Sequence, residues 1–292
     1  EFIDQLQQRL HPLAESAEAD SLCRFAEAFF GIVALEELQQ RQDSDLLGCT
    51  LSFWRFLQQL PQAEGTLRVF NPDTRQHGWQ STHSVVEILH PDQPFLVDSV
   101  RMALNQQGYA IHTLQNSVIA VRRDSDGQLL ELLDIMDETA SHESLMYIEI
   151  DRCATQAEMR ALQTDLQQAL AQVRAVVADF TPMRARVADL QKALDGPAFA
   201  WYPASQREEA QAFLQWLQDD HFTFMGYECF AIAEGLGEQR LGIRPDSRLG
   251  LCASDPLEDD LDGLPQPVLD YLQQPLLLSF AKASRVSRVH RP

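Results

Sequence analysis

The chain has 292 residues, 45% of them hydrophobic, which predicts about two globular domains. Its formal net charge of −20 argues against partners that attract basic patches, namely nucleic acids and anionic membrane surfaces. No apolar run approaches the roughly 20 residues of a membrane span, and the first residues lack a signal peptide's basic start. The five cysteines form no closely spaced pair, so we expect reduced thiols, no metal site and a cytoplasmic protein.

Residues 1–64 are predicted to be helical because apolar residues recur at intervals of three and four. This spacing runs from Phe2 to Leu13 in a first helix. A second helix is predicted to begin at Asp20 and a third at about Asp43.

Residues 65–153 change to the alternating pattern that is typical of strands. One predicted helix, over residues 94–107, interrupts the strands, and Gly108 is expected to end it in a left-handed conformation. A sheet with helices packed on it predicts an α+β sandwich. The predicted strands cover residues 66–70, 82–89, 109–123, 129–135 and 145–150.

Residues 154–196 are predicted to form a long helix and a helical linker. Apolar residues step by three and four from Met159 to Phe180, which predicts one buried stripe. Thr181 and Pro182 are expected to interrupt the helix as a new N-cap and first helical residue.

Residues 197–292 are predicted to form a second α+β domain that is incomplete at its C-terminal end, because we interpret the chain as a piece of a longer protein. A capping box at residues 205–208 is expected to start a helix. The predicted strands of this domain cover residues 221–233, 240–244, 249–252 and 276–281.

Residues 90–100 carry the strongest candidate for a ligand site. A predicted strand ends at the start of this stretch and a predicted helix begins within it. This arrangement directs backbone N–H groups and the positive end of the helix dipole at one spot. Asp92 is expected to cap the helix and Pro94 to lie in its first turn. This geometry suits a carboxylate effector, although many strand–helix units bind nothing. The candidate residues of this effector or interface loop are Asp92, Pro94, Phe95, Leu96 and Asn116.

Motifs for catalysis and for metal or cofactor binding are not recognisable, so no residue is assigned to these roles. The glycines between residues 235 and 242 resemble a dinucleotide-binding loop but lack its third glycine, and we predict a hairpin turn there. One basic cluster stands out in the acidic chain. Its residues either contact an acidic neighbouring domain or an anionic ligand, or form an ordinary solvated edge: Lys282, Arg285, Arg288 and Arg291.

A family resemblance is carried by motifs that occur in one order along nearly the whole chain. They are LLGCTLSFW (46–54), RVFNP (68–72), GWQSTH (78–83), PFLVDSV (94–100), ESLMYIEIDR (143–152), FLQWLQDDHFTFMGY (213–227) and SRVHRP (287–292). In sequence and order these motifs are similar to the N-terminal region of the very large NAD-specific glutamate dehydrogenases of bacteria.

The resemblance implies a domain organisation. The N-terminal half of that family carries ACT-like domains, helical linkers and a PAS-like domain, and the dehydrogenase chemistry lies in a catalytic domain far downstream. Residues 65–153 would then be ACT-like and residues 197–292 PAS-like or ACT-like, with no cofactor in this fragment. The full-length protein would use NAD to oxidise L-glutamate to 2-oxoglutarate and ammonia, as a homo-oligomer in which this segment contacts the rest of its own chain.

One departure from the family pattern concerns the effector loop. Amino-acid-binding ACT domains usually have glycine after the proline of this loop, whereas this chain has Phe95, whose ring is expected to fill the ligand space. This favours a non-catalytic regulatory and assembly segment. The alternative is an amino-acid-sensing module that controls the distant catalytic domain, and a free-standing enzyme is the third hypothesis.

Overall fold

A computed structural model describes most of the chain, namely residues 16–31, 41–58, 65–235 and 238–254, with the single positions 8, 33, 38, 267, 270, 277 and 278. The chain divides into two compact units, residues 1–169 and 170–292. The basic cluster of Lys282, Arg285, Arg288 and Arg291 lies outside the described residues, as do the first predicted helix except for position 8 and the last predicted strand except for positions 277 and 278.

The first unit is built around a five-stranded antiparallel sheet, whose strands lie side by side in the order Thr66–Phe70, Ser84–Pro91, Ser141–Ile150, Ile111–Arg123 and Leu129–Leu133. Two helices precede the sheet, one lies between its strands, and a long helix follows and continues into the second unit. The elements are α1 (Ser16–Phe30), α2 (Asp43–Gln58), β1 (Thr66–Phe70), β2 (Ser84–Pro91), α3 (Leu96–Gln106), β3 (Ile111–Arg123), β4 (Leu129–Leu133), β5 (Ser141–Ile150) and α4 (Gln156–Ala193).

Helices α1 and α2 cover one face of the sheet. Aromatic side chains of both helices form the core there, with the Phe29 ring 5.3 Å from Phe53 and 5.6 Å from Tyr147 of β5. Leu89 of β2 and Leu145 of β5 belong to the same buried cluster. The helical spacing of apolar residues in α1 and α2 therefore reflects packing onto this sheet.

The opposite face of the sheet is buried as well. Successive strand residues point to opposite faces, so Met146 and Ile148 lie on the other side from Tyr147, and both are fully buried. Helix α3 contacts β3, and Gln163 of α4 donates a hydrogen bond to the Leu67 carbonyl of β1 at 3.4 Å. With helices and an antiparallel sheet in one unit, the predicted α+β class is confirmed.

Helix α3 begins later than the sequence predicts. Its N-cap is Phe95, and no side-chain hydrogen bond caps it, so the predictions that Asp92 is the N-cap and that Pro94 lies in the first turn are wrong. Phe95 has φ 72°, and this left-handed conformation stops helical geometry from starting before Leu96. Asp92 therefore lies too far from the first helical N–H groups to cap them.

Helix α4 runs without interruption from Gln156 to Ala193, so the predicted break at Thr181 and Pro182 is wrong. Proline removes only one backbone N–H, and Pro182 lies on the exposed side of the helix while Met183 beside it is buried. Packing of the apolar stripe outweighs the lost hydrogen bond. The predicted stripe is confirmed as far as Val173, because Met159, Leu162, Leu166, Leu170 and Val173 are buried. Its last two members, Val177 and Phe180, are only partly buried.

The second unit contains short elements beside the C-terminal part of α4. Its helix α5 starts from Pro203 without a side-chain cap, so the predicted capping box at 205–208 is wrong. The predicted hairpin between residues 235 and 242 is confirmed, since β7 and β8 pair antiparallel. The elements are α5 (Ala204–Trp216), β6 (Gly226–Tyr227), β7 (Phe230–Gly235), β8 (Glu238–Ile243), β9 (Leu249–Gly250) and α6 (Leu251–Ser254).

Candidate functional site

The predicted effector loop joins β2 to α3. Asp92 and Pro94 are exposed, Phe95 is partly buried and Leu96 is buried. The Asp92 backbone N–H donates to the His142 carbonyl at 2.9 Å, which ties the loop to β5. A backbone hydrogen bond therefore holds the loop in place, and the Asp92 side chain does not cap the helix.

The Phe95 backbone adopts a conformation that glycine prefers, with φ 72° and ψ −1°. The Phe95 carbonyl accepts a hydrogen bond from the Ser99 N–H at 3.0 Å, so the strained residue is part of the first helical turn. A non-glycine residue in this region is uncommon and costs stability. The loop thus keeps the backbone shape of a glycine position although the side chain is phenylalanine.

Asn116, the remaining predicted member of the loop site, lies in β3 and is separated from β2 by β5. Its side-chain oxygen accepts a hydrogen bond from the Ser144 hydroxyl at 2.8 Å. Ser144 pairs in register with His90 at the end of β2, so Asn116 reaches the loop region only through β5. Four of the five predicted residues therefore lie in or beside the β2–α3 loop, whereas Asn116 lies one strand away from it.

A cavity of about 480 Å³ lies in a different part of the first unit. The start of α2, the segment that leads into β2, and the end of β5 surround it. None of the predicted loop residues lines this cavity. Its walls combine polar and charged side chains with one indole ring: Arg41, Gln42, Asp45, Trp79, Gln80, Ser81, Thr82, His83 and Glu149.

Glu149 is the centre of a hydrogen-bond network at this cavity, and it is only 4% exposed. Its Oε1 accepts hydrogen bonds from the Arg41 guanidinium and from the Tyr147 hydroxyl, the latter at 2.6 Å. Its Oε2 lies 3.3 Å from His83 Nδ1. A buried carboxylate requires such partners, and the Arg41 contact joins the start of α2 to β5.

Trp79 forms the apolar wall of the cavity and is 3% exposed. Its ring lies against α2, where a Cβ placed on Gly48 would be 2.3 Å from Trp79 Cβ. Its indole Nε1–H is buried and has no hydrogen-bond partner among the described residues. An unpaired buried N–H is rare in folded proteins, because it loses its hydrogen bonds to water without replacement.

His83 lies in the cavity wall and stacks on a second histidine, His112. The rings of His83 and His112 stack with centroids 4.0 Å apart, and His112 Nε2 lies 2.8 Å from Asp151 Oδ1. Burial, followed by the neighbouring His112, lowers the pKa of His83. His83 is therefore neutral near pH 7 and adds no positive charge to the cavity wall.

The same face of the sheet carries a second buried ion pair, between Arg68 of β1 and Glu87 of β2. Arg68 Nε donates to Glu87 Oε2 at 2.6 Å, and the guanidinium lies 4.7 Å from the Phe56 ring centroid of α2. Burial raises the pKa of Glu87 to about 7, against the opposing effect of Arg68. Glu87 pairs in register with Tyr147, so buried polar groups form a continuous strip across β2 and β5.

Sequence reasoning missed the cavity residues, although six of them lie in two of the motifs that carry the family resemblance, residues 78–83 and 143–152. Tyr147 and Glu149 alternate with the apolar residues of β5, but every residue from Glu143 to Ile150 is buried. A glutamate in a strand that is buried on both faces was the available signal, since buried carboxylates are almost always paired. The partners Arg41 and His83 could not be identified, because they are distant in sequence.

The glycine-rich stretch at residues 235–242 does not have the form of a dinucleotide-binding loop. Such a loop needs a strand that turns through glycines into a helix whose N-terminus holds the pyrophosphate. The glycine-rich stretch of this chain instead joins β7 to β8 in an antiparallel hairpin, with Gly235 opposite Glu238. Within the described ranges, no helix is long and apolar enough to cross a membrane.

Comparison with known proteins gives a consistent family. The chain is 47% identical over 297 residues to an NAD-specific glutamate dehydrogenase of Pseudomonas aeruginosa, and 39% identical over 300 residues to one of Halomonas elongata. Both matches cover 100% of this chain and 18% of the relative. A protein of the same name from Mycobacterium tuberculosis is 27% identical over 171 residues, which is 56% of this chain and 10% of the relative.

The chain thus spans about a fifth of the length of the curated relatives that it matches most extensively. The match to a family model is confined to the first unit and covers the two N-terminal helices from Phe25, the whole sheet and the start of α4. That model describes the ACT1 domain of glutamate dehydrogenase and spans residues 25–166. Residues 25–166 therefore belong to the family of glutamate dehydrogenase ACT1 domains, and the whole chain is similar to a part of the large NAD-specific glutamate dehydrogenases.

Proposed function

We propose that the chain is a non-catalytic regulatory and assembly segment of an NAD-dependent glutamate dehydrogenase. In the full-length protein, L-glutamate, NAD and water would give 2-oxoglutarate, ammonia and NADH. The observation that carries the proposal is the match of residues 25–166 to the ACT1 domain in a chain that spans 18% of its relatives. The glycine-rich stretch of this chain forms a hairpin and not a dinucleotide-binding loop. This supports the view that the dehydrogenase chemistry lies in another part of the full-length protein.

Two assays test this function. The purified chain should neither bind NAD nor produce NADH from L-glutamate, and glutamate-dependent NADH production by the chain alone would contradict a non-catalytic role. In the full-length protein, removal of these residues should leave the chemical step intact but change the substrate saturation curve or the oligomeric state. A deletion that alters neither property would contradict a regulatory and assembly role.

The alternative function is an amino-acid-sensing module that gives allosteric control of the distant catalytic domain. The cavity at Arg41 and Glu149 favours this alternative, because its volume of about 480 Å³ is that of a small-molecule pocket and several polar side chains converge on it. Under this alternative, an effector that binds the chain changes the affinity of the full-length protein for its substrates, and the substrates change the affinity for the effector by the same factor.

Further parts of the organisation are also proposals. We infer that residues 197–292 form a PAS-like or ACT-like domain, supported by the helix and short antiparallel strands of the second unit. A homo-oligomeric full-length protein in the cytoplasm, whose catalytic domain contacts this segment, is the arrangement that fits the proposed function. Sedimentation of the full-length protein would test the oligomeric state.

A further inference from the structure

We propose that residues 196–206, between α4 and α5, form a docking surface for a part of the full-length protein that lies outside residues 1–292. We call these residues the tryptophan segment, because Trp201 is the anchor of the surface. The proposal rests on the assembly part of the proposed function. It names the surface through which this chain contacts the rest of the full-length protein.

Trp201 is the most exposed of the four tryptophans, at 64%, whereas Trp79 in the first unit is 3% exposed. An exposed indole leaves a large apolar area in contact with water, which is unfavourable. The ring does not stand alone, because five further apolar residues of the tryptophan segment are exposed: Pro197, Ala198, Ala200, Pro203 and Ala204. Neighbouring apolar residues that face solvent together are typical of interaction sites, whereas single ones are ordinary.

The Trp201 ring is held in place although it is exposed. Its indole Nε1–H donates to the Ala198 carbonyl at 3.0 Å, and the ring stacks on Tyr202 with centroids 3.8 Å apart. Tyr202 in turn stacks on Phe199, with centroids 6.3 Å apart. One face of the indole is therefore covered, and its orientation is fixed before a partner binds. An aromatic anchor that is already fixed loses little conformational entropy on binding, and tryptophan is enriched among the residues that dominate interfaces.

Local hydrogen bonds also order the backbone of the tryptophan segment. Pro197–Phe199 forms a short 3-10 turn, and the Ala200 N–H donates to the Pro197 carbonyl at 3.2 Å. The Tyr202 N–H donates to the Phe199 carbonyl at 3.0 Å, and Pro203 restricts the backbone before α5. A rigid, exposed and apolar segment is suited to insertion into a preformed pocket.

The distribution of charge also fits an interface. The tryptophan segment contains no charged residue, although 23% of the whole chain is charged. Exposed charged residues flank it on both sides, with Lys192 and Asp195 before it and Glu208 after it. The cores of protein interfaces are poor in charged residues and rich in aromatic ones, and their rims are polar. The tryptophan segment has this composition.

The partner that fits is the remaining part of the same polypeptide. The chain corresponds to 18% of the relative from Pseudomonas aeruginosa, so most of a full-length protein is available to cover the tryptophan segment. A second copy of residues 1–292 fits less well. The cavity at Arg41 and Glu149 has mostly charged and polar walls, which would not replace the water around an indole. We therefore expect an apolar pocket, wide enough for an indole, outside residues 1–292.

Oxidation by hydroxyl radicals, measured by mass spectrometry on the full-length protein, tests the docking. An uncovered Trp201, at 64% exposure, should be oxidised at more than about half its rate in the urea-unfolded protein. A docked Trp201 should be oxidised at least about tenfold more slowly than in the unfolded protein, as is expected for the buried reference Trp79. Oxidation of Trp201 at the rate of the uncovered side chain would overturn the proposal.

A charge in the tryptophan segment should release the anchor. Ala200 is exposed, so Ala200→Glu leaves the fold intact but places a carboxylate in the interface, and it should speed oxidation of Trp201 at least about fivefold. Ala212→Glu, at an exposed position of α5, is the matched control and should leave Trp201 protected. Continued protection of Trp201 in Ala200→Glu would overturn the docking surface. If Ala200→Glu exposes Trp201 but the full-length protein keeps its oligomeric state and its substrate saturation curve, the docking stands and the regulatory and assembly function is refuted.

A photo-crosslinking amino acid at the exposed position of Ser205 identifies the partner in the full-length protein. The crosslinked peptide should come from outside residues 1–292. A crosslink to residues 1–292 of a second copy would overturn the choice of partner.

Discussion

Replacement of Phe95 by glycine and by alanine tests the backbone strain at the start of α3. Both variants remove the same partly buried ring, so their difference reports on the backbone alone. The left-handed conformation at φ 72° costs an L-residue about 1–2 kcal/mol. Glycine avoids this cost but gives a more flexible unfolded chain, which offsets about 0.5–1 kcal/mol. Phe95→Gly should therefore be more stable than Phe95→Ala by about 1 kcal/mol.

Urea denaturation followed by circular dichroism measures this difference, and hydrogen exchange at Ser99, whose N–H bonds to the Phe95 carbonyl, reports the first turn of α3 locally. Loss of a half-buried ring costs about 1 kcal/mol. Alanine should therefore lower the free energy of unfolding by about that amount, and glycine should leave it nearly unchanged. An alanine variant that equals or exceeds the glycine variant in stability would refute the strained conformation.

Three further predictions concern buried residues of the first unit. Burial raises the pKa of Glu87 from 4.5 to about 7, so the folded state binds the proton more tightly than the unfolded chain does. The stabilisation that this protonation gives to the folded state is complete below pH 4.5 and is lost as the pH rises through 7. Glu87→Gln should remove a change on the order of 3 kcal/mol from the curve of unfolding free energy against pH, and identical curves for variant and wild type would contradict the prediction. Gly48→Ala should lower the free energy of unfolding by about 1–2 kcal/mol despite alanine's higher helix propensity, because the new methyl group would lie 2.3 Å from Trp79 Cβ. A variant that is more stable than the wild type in thermal unfolding would show that the Trp79 side chain moves away easily. Leu166→Asp should unfold the first unit, because an unpaired buried carboxylate costs several kcal/mol, whereas the exposed control Gln167→Asp should melt like the wild type.

Periodicity predicted the elements of the first unit well, because it reports which side of an element is buried. The helix from Asp43, the strand Thr66–Phe70 and the apolar stripe of α4 all follow this rule. Helix ends were predicted less well. Asp92 and Pro94 satisfy the usual preferences for a helix start, but the left-handed backbone of Phe95 moves the start of α3 beyond both.

The break predicted at Pro182 failed for a related reason. Proline inside a helix costs about 3 kcal/mol, and this cost competes with the free energy gained by burying the apolar residues that precede and follow Pro182. Met183 and Val187 are buried on the far side of the proline, so the helix continues through it. Local signals therefore fail where packing over several turns contributes more free energy than a single backbone hydrogen bond.

The cavity could not be predicted, because its charged groups meet only through the sheet register. Arg41 and Glu149 are 108 positions apart, and their contact exists because α2 lies on the face of the sheet that carries Tyr147. An apolar residue at position 149 would pack against α2 without desolvating a charge, and a buried ion pair is commonly no more stable than such packing. The chain instead carries a buried carboxylate with three polar neighbours, beside an indole N–H that no described residue satisfies. The sequence therefore signals the buried carboxylate itself but not the groups that contact it, because these come together only in the fold.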